Sequence, residues 1–202
     1  MLSLLIFISC KNNNDLNTNT SQNEDNEEFD WNENVIVSME ILNYGIIEIE
    51  LYHEYAPITV EHFCYLVNNG LYDGTDFIRM QSDFVLQGGA NCINQETIKG
   101  EFNSNGWENN LSHTKGVISM ARATNNDSAT SQFFIMLSDN YSSVLDGNYA
   151  AFGKVINGWD VIEKILNDID SSFFTNDYYG LAMGFFKEDH YIKIREAKII
   201  KK

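Results

Sequence analysis

Two short runs of alternating residues between positions 77 and 89 constrain the fold more than any other part of the chain. In the first run Phe77, Arg79 and Gln81 alternate with apolar residues, which is the two-residue period of a β-strand. A polar break separates it from the second run, and Gly88-Gly89 then gives the backbone freedom to turn. We therefore expect a strand–turn–strand unit with Phe77, Arg79 and Gln81 on one face.

The second run predicts that Phe84 and Leu86 share one face of their strand and that Val85 and Gln87 share the other. A unit of this kind can place the Arg79 guanidinium and a glutamine amide beside aromatic rings. The alternative is an ordinary pair of core strands whose arginine points to solvent, as most arginines do.

Short strands are also indicated outside this unit. Apolar residues alternate over 35–41 and 47–51, and the turn residues 43–45 between them predict an antiparallel hairpin. A further alternating segment at 192–195 predicts the last strand. Many short strands without a repeated strand–helix–strand order favour a mainly β, closed antiparallel structure.

Two amphipathic helices are predicted. Pro57 precedes the first one, where its fixed φ is tolerated, and Gly70 stands at the expected end. Cys64 falls on the apolar stripe of this helix, so we expect it to be a core residue. The second helix is predicted over Trp159–Leu166. Residues 167–189 show no clear pattern.

Composition excludes several classes of function. The net charge of −16 argues against nucleic acid, because a phosphate backbone requires a basic surface. It argues equally against adsorption to anionic lipid. The spacing of cysteines and histidines predicts neither a disulfide framework nor a zinc site, so we expect no metal and no cofactor.

The N-terminal segment has the pattern of an exported lipoprotein. Leu2–Ile8 is nearly all apolar, which is too short to span a bilayer but long enough for the core of a signal sequence. Phe7-Ile8-Ser9-Cys10 resembles a bacterial lipobox, in which the cysteine is lipidated. We expect a signal peptide at 1–9, a disordered acidic tether at 10–34 after lipidated Cys10, and a folded domain at 35–202. The alternative is a frayed apolar terminus without processing.

Two further segments sharpen the expectation for this domain, namely Gly116–Ala123 and Ser128–Ile135. Together with residues 77–89 they resemble the signature blocks of the cyclophilins, a family of peptidyl-prolyl cis-trans isomerases. The family pattern Phe-x-Arg, Phe-x-x-Gln-Gly-Gly, Ser-Met-Ala and Ser-Gln-Phe-Phe-Ile stands here in order. The resemblance runs from about Val35 to Ile200 and implies an eight-stranded β-barrel capped by two helices.

The resemblance also implies an activity, rotation about Xaa-Pro peptide bonds, and a set of residues for it. The implied catalytic residues are Arg79, Phe84, Gln87, Gln132 and Phe134. The implied substrate-binding residues are Val85, Ala121, Arg122, Val144, Leu145 and Tyr149. For Arg122 we expect the backbone to line the site and the side chain to be solvated.

The expected partners are proline-containing peptides and unfolded exported proteins, and no nucleic acid. We expect a monomer that contacts the membrane only through its lipid anchor. The location implied is the bacterial cell envelope. Two alternatives remain, a proline-peptide binding module or holdase with negligible turnover, and a structural lipoprotein that keeps the fold as a scaffold.

Four positions depart from the family pattern. Ile78, Val85, Val144 and Tyr149 stand where many members have histidine, methionine, tryptophan and histidine, respectively. Val85 and Val144 bear on affinity and substrate preference, and members sensitive to cyclosporin carry the tryptophan at the position of Val144. We therefore expect an active isomerase that resists this drug.

Overall fold

The computed structural model describes residues 33–92, 95–175 and 183–201. Short antiparallel strands dominate these residues, with three α-helices between them. The strands are β1 (Val35–Ile41), β2 (Gly45–Leu51), β3 (Asp76–Phe77), β4 (Arg79–Gln81), β5 (Val85–Gly88), β6 (Val117–Met120), β7 (Phe133–Met136), β8 (Ala151–Asn157) and β9 (Ile192–Lys201). The helices are α1 (Pro57–Asn68), α2 (Ser142–Leu145) and α3 (Trp159–Asp168), and 3₁₀ turns cover Asn103–Asn105, Ser171–Phe173 and Glu188–His190.

All nine strand segments of the described residues belong to one sheet, in the order β3-β9-β1-β2-β8-β6-β7-β5-β4. The two segments at its ends, β3 and β4, follow each other in the chain and are separated only by Ile78. Because β3 pairs with β9 while β4 pairs with β5, they act as one interrupted strand that closes the sheet. The nine segments therefore form an eight-stranded antiparallel barrel, and the predicted fold class is confirmed.

Large apolar side chains fill the barrel and alternate along its strands. In β7, Phe133 and Ile135 point into this main core, whereas Phe134 and Met136 belong to a second apolar cluster on the outer face. The ring of Phe63 from α1 packs edge-on against Phe133, with 5.7 Å between the ring centroids. Because one face of β7 fills the barrel, its other face can contribute to a separate pocket.

The strand that carries Arg79 departs from the predicted alternation at Ile78. Phe77 and Met80 are both buried in the main core, whereas Arg79 lies on the outer face. The prediction that Phe77 and Arg79 share a face is therefore wrong, because the interruption between β3 and β4 shifts the side-chain phase by one residue. The Ile78 N–H still donates to the Gln87 carbonyl (3.0 Å), so pairing continues through the interruption.

Phe84 precedes β5 and lies in the turn between β4 and β5. Its ring packs against the outer cluster, while Leu86 lies in the main core. The predicted shared face of Phe84 and Leu86 is wrong, since a turn residue does not follow the strand alternation. Val85 and Gln87 do lie together on the outer face, as predicted.

Both predicted helices are present. The first begins at Pro57 as expected, and Gly70 follows its end with a left-handed φ of 63°. The second covers Trp159–Leu166 and continues to Asp168. The short helix α2 was not predicted, since its four residues are too few to show a period.

The N-terminus of α1 is capped by a residue from a distant loop. Glu101 is fully buried, and its carboxylate accepts the backbone N–H groups of Ile58 (2.9 Å) and Thr59 (2.7 Å). The Thr59 hydroxyl donates to the same carboxylate (2.7 Å). A carboxylate here satisfies helix N–H groups that have no partner within the helix, and it complements the helix dipole.

The predicted signal peptide (1–9), Cys10 and the tether up to residue 32 lie outside the described residues. None of the described helices has the length and apolar character needed to cross a bilayer. In the described part of the chain, no group of three or more His, Cys, Asp or Glu side chains could hold a metal ion. Cys64 is buried as predicted, and burial raises the pKa of its thiol to about 12.

Candidate active site

Four side chains form one row across the outer face of the barrel. The strand register pairs Arg79 of β4 with Gln87 of β5, and Gln87 with Phe134 of β7. Ser119 of β6 stands opposite Phe134 and completes the row. Since paired strands lie about 4.8 Å apart, the register alone brings these distant parts of the chain together.

The guanidinium of Arg79 is held on three sides. Its Nε donates to the Met183 carbonyl (2.6 Å), its Nη1 to the side-chain oxygen of Gln87 (3.3 Å), and its Nη2 to that of Gln81. The residue is only 6% exposed, which excludes the alternative of a solvated arginine. Burial lowers the pKa of Arg79 to about 10, so the group is still charged at neutral pH.

Two aromatic rings lie beside this guanidinium. Its central carbon is 5.5 Å from the ring centroid of Phe84 and 5.6 Å from that of Phe185. Contacts at this distance attract a cation through the negative face of the ring. The sequence predicted a guanidinium beside aromatic rings, but nothing in it indicated Phe185.

Gln87 connects Arg79 to the next part of the site. It is 2% exposed, and its amide nitrogen donates to the side-chain oxygen of Gln132 (2.8 Å). The backbone carbonyl of Gln132 in turn accepts the N–H of Ala121 (2.8 Å). The bonds that Gln87 makes to Arg79 and Gln132 fix the orientation of its amide, with the oxygen toward Arg79.

An apolar pocket wall adjoins the row. Of the predicted residues it contains Val85, Ala121, Phe134 and Leu145, all buried, with Phe84 and Tyr149 partly buried at its edge. The rings of Phe134 and Tyr149 meet edge to face, with 5.7 Å between their centroids. The outer apolar cluster therefore unites most of the predicted apolar contact residues.

Val144 lies at the rim of this cluster rather than within it. It is 43% exposed on α2, whereas the next residue, Leu145, is 2% exposed. The ring of Tyr141, just before α2, packs against Phe84 with 4.5 Å between the centroids. Sequence reasoning missed Tyr141, because its role depends on where the turn before β5 folds.

His113 is a second residue that sequence reasoning missed. Its ring stacks on Phe134, and its Nδ1 and Nε2 are hydrogen-bonded to Asp146 (2.8 Å) and the Ser119 hydroxyl (3.0 Å). Burial lowers the pKa of His113, although its bonds to Asp146 act in the opposite direction. A neutral imidazole with its proton on Nδ1 donates to Asp146, accepts from Ser119 and supports the ring of Phe134 from behind.

The side chain of Arg122 is partly exposed, but it makes more contacts than the solvated side chain that we expected. Its guanidinium lies over the rings of Phe102 (5.0 Å) and Tyr149 (4.7 Å). It also donates to the carbonyls of Asn148 and Ala123, among others. The side chain is therefore packed on one side as well as solvated on the other, because this loop packs against Tyr149 and offers carbonyl groups that a long planar donor can bridge.

The fold and the site together define a class of protein, a closed antiparallel barrel with a buried arginine beside an apolar, aromatic cluster on its outer face. The model of the family described as cyclophilin type peptidyl-prolyl cis-trans isomerase/CLD matches residues 36–178. The chain thus belongs to the cyclophilin-type peptidyl-prolyl cis-trans isomerases. The enzymatic activity predicted from the sequence is confirmed at this level.

Named relatives agree with this assignment. A peptidyl-prolyl cis-trans isomerase of Acinetobacter baylyi is 44% identical over 144 residues, which cover 69% of this chain and 76% of the relative. Peptidyl-prolyl cis-trans isomerase B of Escherichia coli is 36% identical over 135 residues, covering 61% and 79%. The crystal structure of a cyclophilin type isomerase of Cryptosporidium parvum, described as in the presence of the dipeptide Ala-Pro, has a TM-score of 0.65 at 25% identity, covering 83% of this chain and 99% of that one.

Proposed function

We propose that Arg79 is the catalytic group of this isomerase and that the outer apolar cluster holds the proline ring of the substrate. The observation that carries the proposal is the row in which Arg79, Gln87 and Phe134 stand side by side on three paired strands. It puts a buried, charged donor next to an apolar wall. A proline presents the matching combination, an apolar ring attached to a peptide nitrogen.

The chemistry requires only that the twisted peptide bond be favoured. The barrier is about 18–20 kcal/mol, because resonance gives the C–N bond partial double-bond character. At the top of the barrier the prolyl nitrogen is pyramidal and its lone pair is localised. A guanidinium N–H can donate to this lone pair only in that state, so the bond lowers the barrier without tightening ground-state binding.

Arg79 has the donors for this step. A guanidinium carries five N–H groups, two of them on each terminal nitrogen. The bonds to Gln87 and Gln81 use one on each terminal nitrogen and orient the fork. The apolar rings around the site exclude water, which strengthens a hydrogen bond from a charged donor.

The remaining residues are assigned to substrate binding. Phe84, Val85, Phe134 and Leu145 form the wall for the proline ring. Gln132 and the backbone at Ala121 and Arg122 offer polar groups along which a peptide can lie. The relative crystallised in the presence of Ala-Pro supports short proline-containing peptides as the substrate class.

A kinetic experiment tests the role of Arg79. We expect Arg79→Ala to fold normally and to lower kcat/KM on a short Xaa-Pro peptide at least tenfold, which corresponds to about 1.4 kcal/mol of transition-state stabilisation. Arg195→Ala is the matched control, since that arginine is exposed on β9 and pairs with Glu40 of β1. Wild-type turnover in folded Arg79→Ala would rule out the assignment, and peptide binding without turnover in the wild type would favour a binding module.

For location, we propose that the protein is exported and anchored by lipid at Cys10, and that it acts on unfolded proteins at the bacterial cell envelope. The apolar run 2–8, the Ser9-Cys10 pair and the acidic segment 11–34 support this. A lipid chain contributes about 0.8 kcal/mol per buried methylene, so stable anchoring needs more than one chain.

Fractionation of cells tests the location. We expect the wild type in the membrane fraction with the added mass of a lipid, and Cys10→Ser in the soluble fraction. Cys92→Ser removes a cysteine of the folded domain instead, and it should leave the protein in the membrane fraction. A wild-type protein that is soluble and unmodified in mass would contradict the proposal.

A further inference from the structure

The segment Met183–Phe186 adds a strand-like edge to the barrel beside β4. The N–H of Met80 donates to the Gly184 carbonyl (2.8 Å), and the N–H of Phe186 donates to the Ile78 carbonyl (2.9 Å). Arg79 and Phe185 form an antiparallel bridge between these bonds. The segment lies beyond the residues that the family model matches, which end at residue 178.

This segment contacts the guanidinium of Arg79 in two ways. The Met183 carbonyl accepts from Nε at 2.6 Å, which is short for such a bond. The Phe185 ring lies 5.6 Å from the central carbon of the guanidinium. The segment therefore supplies both a hydrogen-bond acceptor and an aromatic ring to the group that we assign to catalysis.

We propose that Met183–Phe186 is a positioning element of the active site, which fixes the plane and direction of the Arg79 guanidinium through the Met183 carbonyl and the Phe185 ring. This inference rests on the proposed role of Arg79. Met183 and Phe185 act through the arginine and need not touch the substrate.

The geometry of a guanidinium explains why its Nε matters. The group is planar, so a bond at Nε together with bonds at both terminal nitrogens determines its plane and its rotation. Without the bond at Nε, the glutamine contacts hold only the far end of a long side chain. Catalytic donors lose efficiency when they are displaced by small distances from the reacting atom. Burial also lowers the pKa of Arg79, so carbonyl and amide oxygens around it offset part of the cost of desolvation.

The segment is itself held firmly on the side away from Arg79. The N–H of Thr175 donates to the Phe185 carbonyl (3.0 Å), and the rings of Phe174 and Phe186 stack with 5.3 Å between their centroids. Gly184 has a left-handed φ of 73°, and a Cβ there would lie 2.0 Å from the Met80 carbonyl oxygen. Only glycine therefore permits this close pairing with β4.

The competing interpretation is that the segment only covers the edge of β4, as many sheets cover their edges. A cover would contribute to stability but would not set the orientation of Arg79. Two measurements separate these roles, kcat against KM on an Xaa-Pro peptide, and the solvent exchange of the Arg79 Nε–H followed by NMR in ¹⁵N-labelled protein.

Three variants of the full chain make the test. Gly184→Ala should displace the segment from β4 and break the hydrogen bond between the Arg79 Nε–H and the Met183 carbonyl. Phe185→Leu should leave the backbone in place and remove only the aromatic ring. Phe173→Leu is the matched control, because Phe173 is a half-buried phenylalanine of the same region whose ring packs on His190. Circular dichroism and urea midpoints verify that each variant is folded.

We expect slow exchange of the Arg79 Nε–H in the wild type and in Phe173→Leu. In Gly184→Ala it should be at least tenfold faster, with kcat lowered about tenfold and KM within about twofold, since a hydrogen bond to a charged group controls roughly that factor. Phe185→Leu should show a smaller loss of kcat in the same direction.

Two outcomes would overturn the proposal. One is fast exchange of the Nε–H in the wild type. The other is full kcat in folded Gly184→Ala although its Nε–H exchanges freely. If Arg79→Ala is inactive in the same assay, either outcome refutes only the positioning role. If Arg79→Ala is fully active, the catalytic assignment itself fails.

Discussion

The buried carboxylate of Glu101 is predicted to make a large contribution to the stability of this domain. It accepts three hydrogen bonds at the N-terminus of α1, two from backbone N–H groups and one from the Thr59 hydroxyl. Because both Glu101 and Thr59 are completely buried, water cannot replace a lost bond between them. We expect Glu101→Gln to destabilise the domain although it changes the side-chain volume very little.

The magnitude follows from the number of donors. A glutamine amide has one oxygen, so its NH₂ must face either the N–H of Ile58 or the donors of Thr59. A buried donor without a partner costs about 1–3 kcal/mol. Loss of the negative charge at the helix N-terminus adds about 0.3–1 kcal/mol. The expected loss of about 1.3–4 kcal/mol is large against a total stability of about 5–15 kcal/mol.

Urea unfolding followed by circular dichroism measures this loss. Glu101→Ala, which leaves all three donors unpaired, should cost at least about 3 kcal/mol, and Thr59→Val, which removes one donor, about 1–2 kcal/mol. Glu108→Gln is the control, since Glu108 is exposed in the same loop and should change stability by less than about 0.5 kcal/mol. If Glu101→Gln is as stable as Glu108→Gln, the capping argument is wrong.

Two more predictions concern pH and inhibition. Burial lowers the pKa of His113, so below about pH 6.5 the unfolded chain takes up a proton that the folded chain does not. The free energy of unfolding should therefore fall as the pH drops from 8 to 5. Urea midpoints across this pH range measure the decrease in the free energy of unfolding. The decrease should be smaller in His113→Gln, and a wild-type midpoint that is independent of pH would contradict the argument. Val144 is exposed at the pocket rim and lacks the ring and N–H of a tryptophan, so cyclosporin should inhibit the wild type at least about tenfold less than Val144→Trp. A titration that shows equal inhibition of both proteins would refute this.

The position of most strands and of two helices was predictable from the sequence, because those patterns are local. Alternation over 35–41 and 47–51 corresponds to β1 and β2, and the apolar stripe after Pro57 corresponds to α1. Such periods reflect one buried face per element, which a strand or helix shows whatever its neighbours are. The fold class and the activity were predictable through the resemblance of short motifs, which the family match confirms.

The phase of the strand that carries Arg79 was not predictable in this way. A single interruption at Ile78 moves Phe77 into the barrel and leaves Arg79 on the outer face. Closure of the barrel imposes this break, since β3 must pair with β9 while β4 pairs with β5. A local alternation rule has no access to a constraint of that kind.

The sequence by itself therefore determined most of the elements and the family, and it indicated Arg79, Gln87 and Phe134 as candidate site residues. Only the tertiary structure decided that these three stand in one row, that Glu101 caps α1 from a distant loop, and that Met183–Phe186 holds Arg79. The physical reason is the range of the interactions. Periodicity and turn chemistry act over a few residues, whereas strand register and buried hydrogen bonds join residues far apart in the chain and exist only after the barrel has closed.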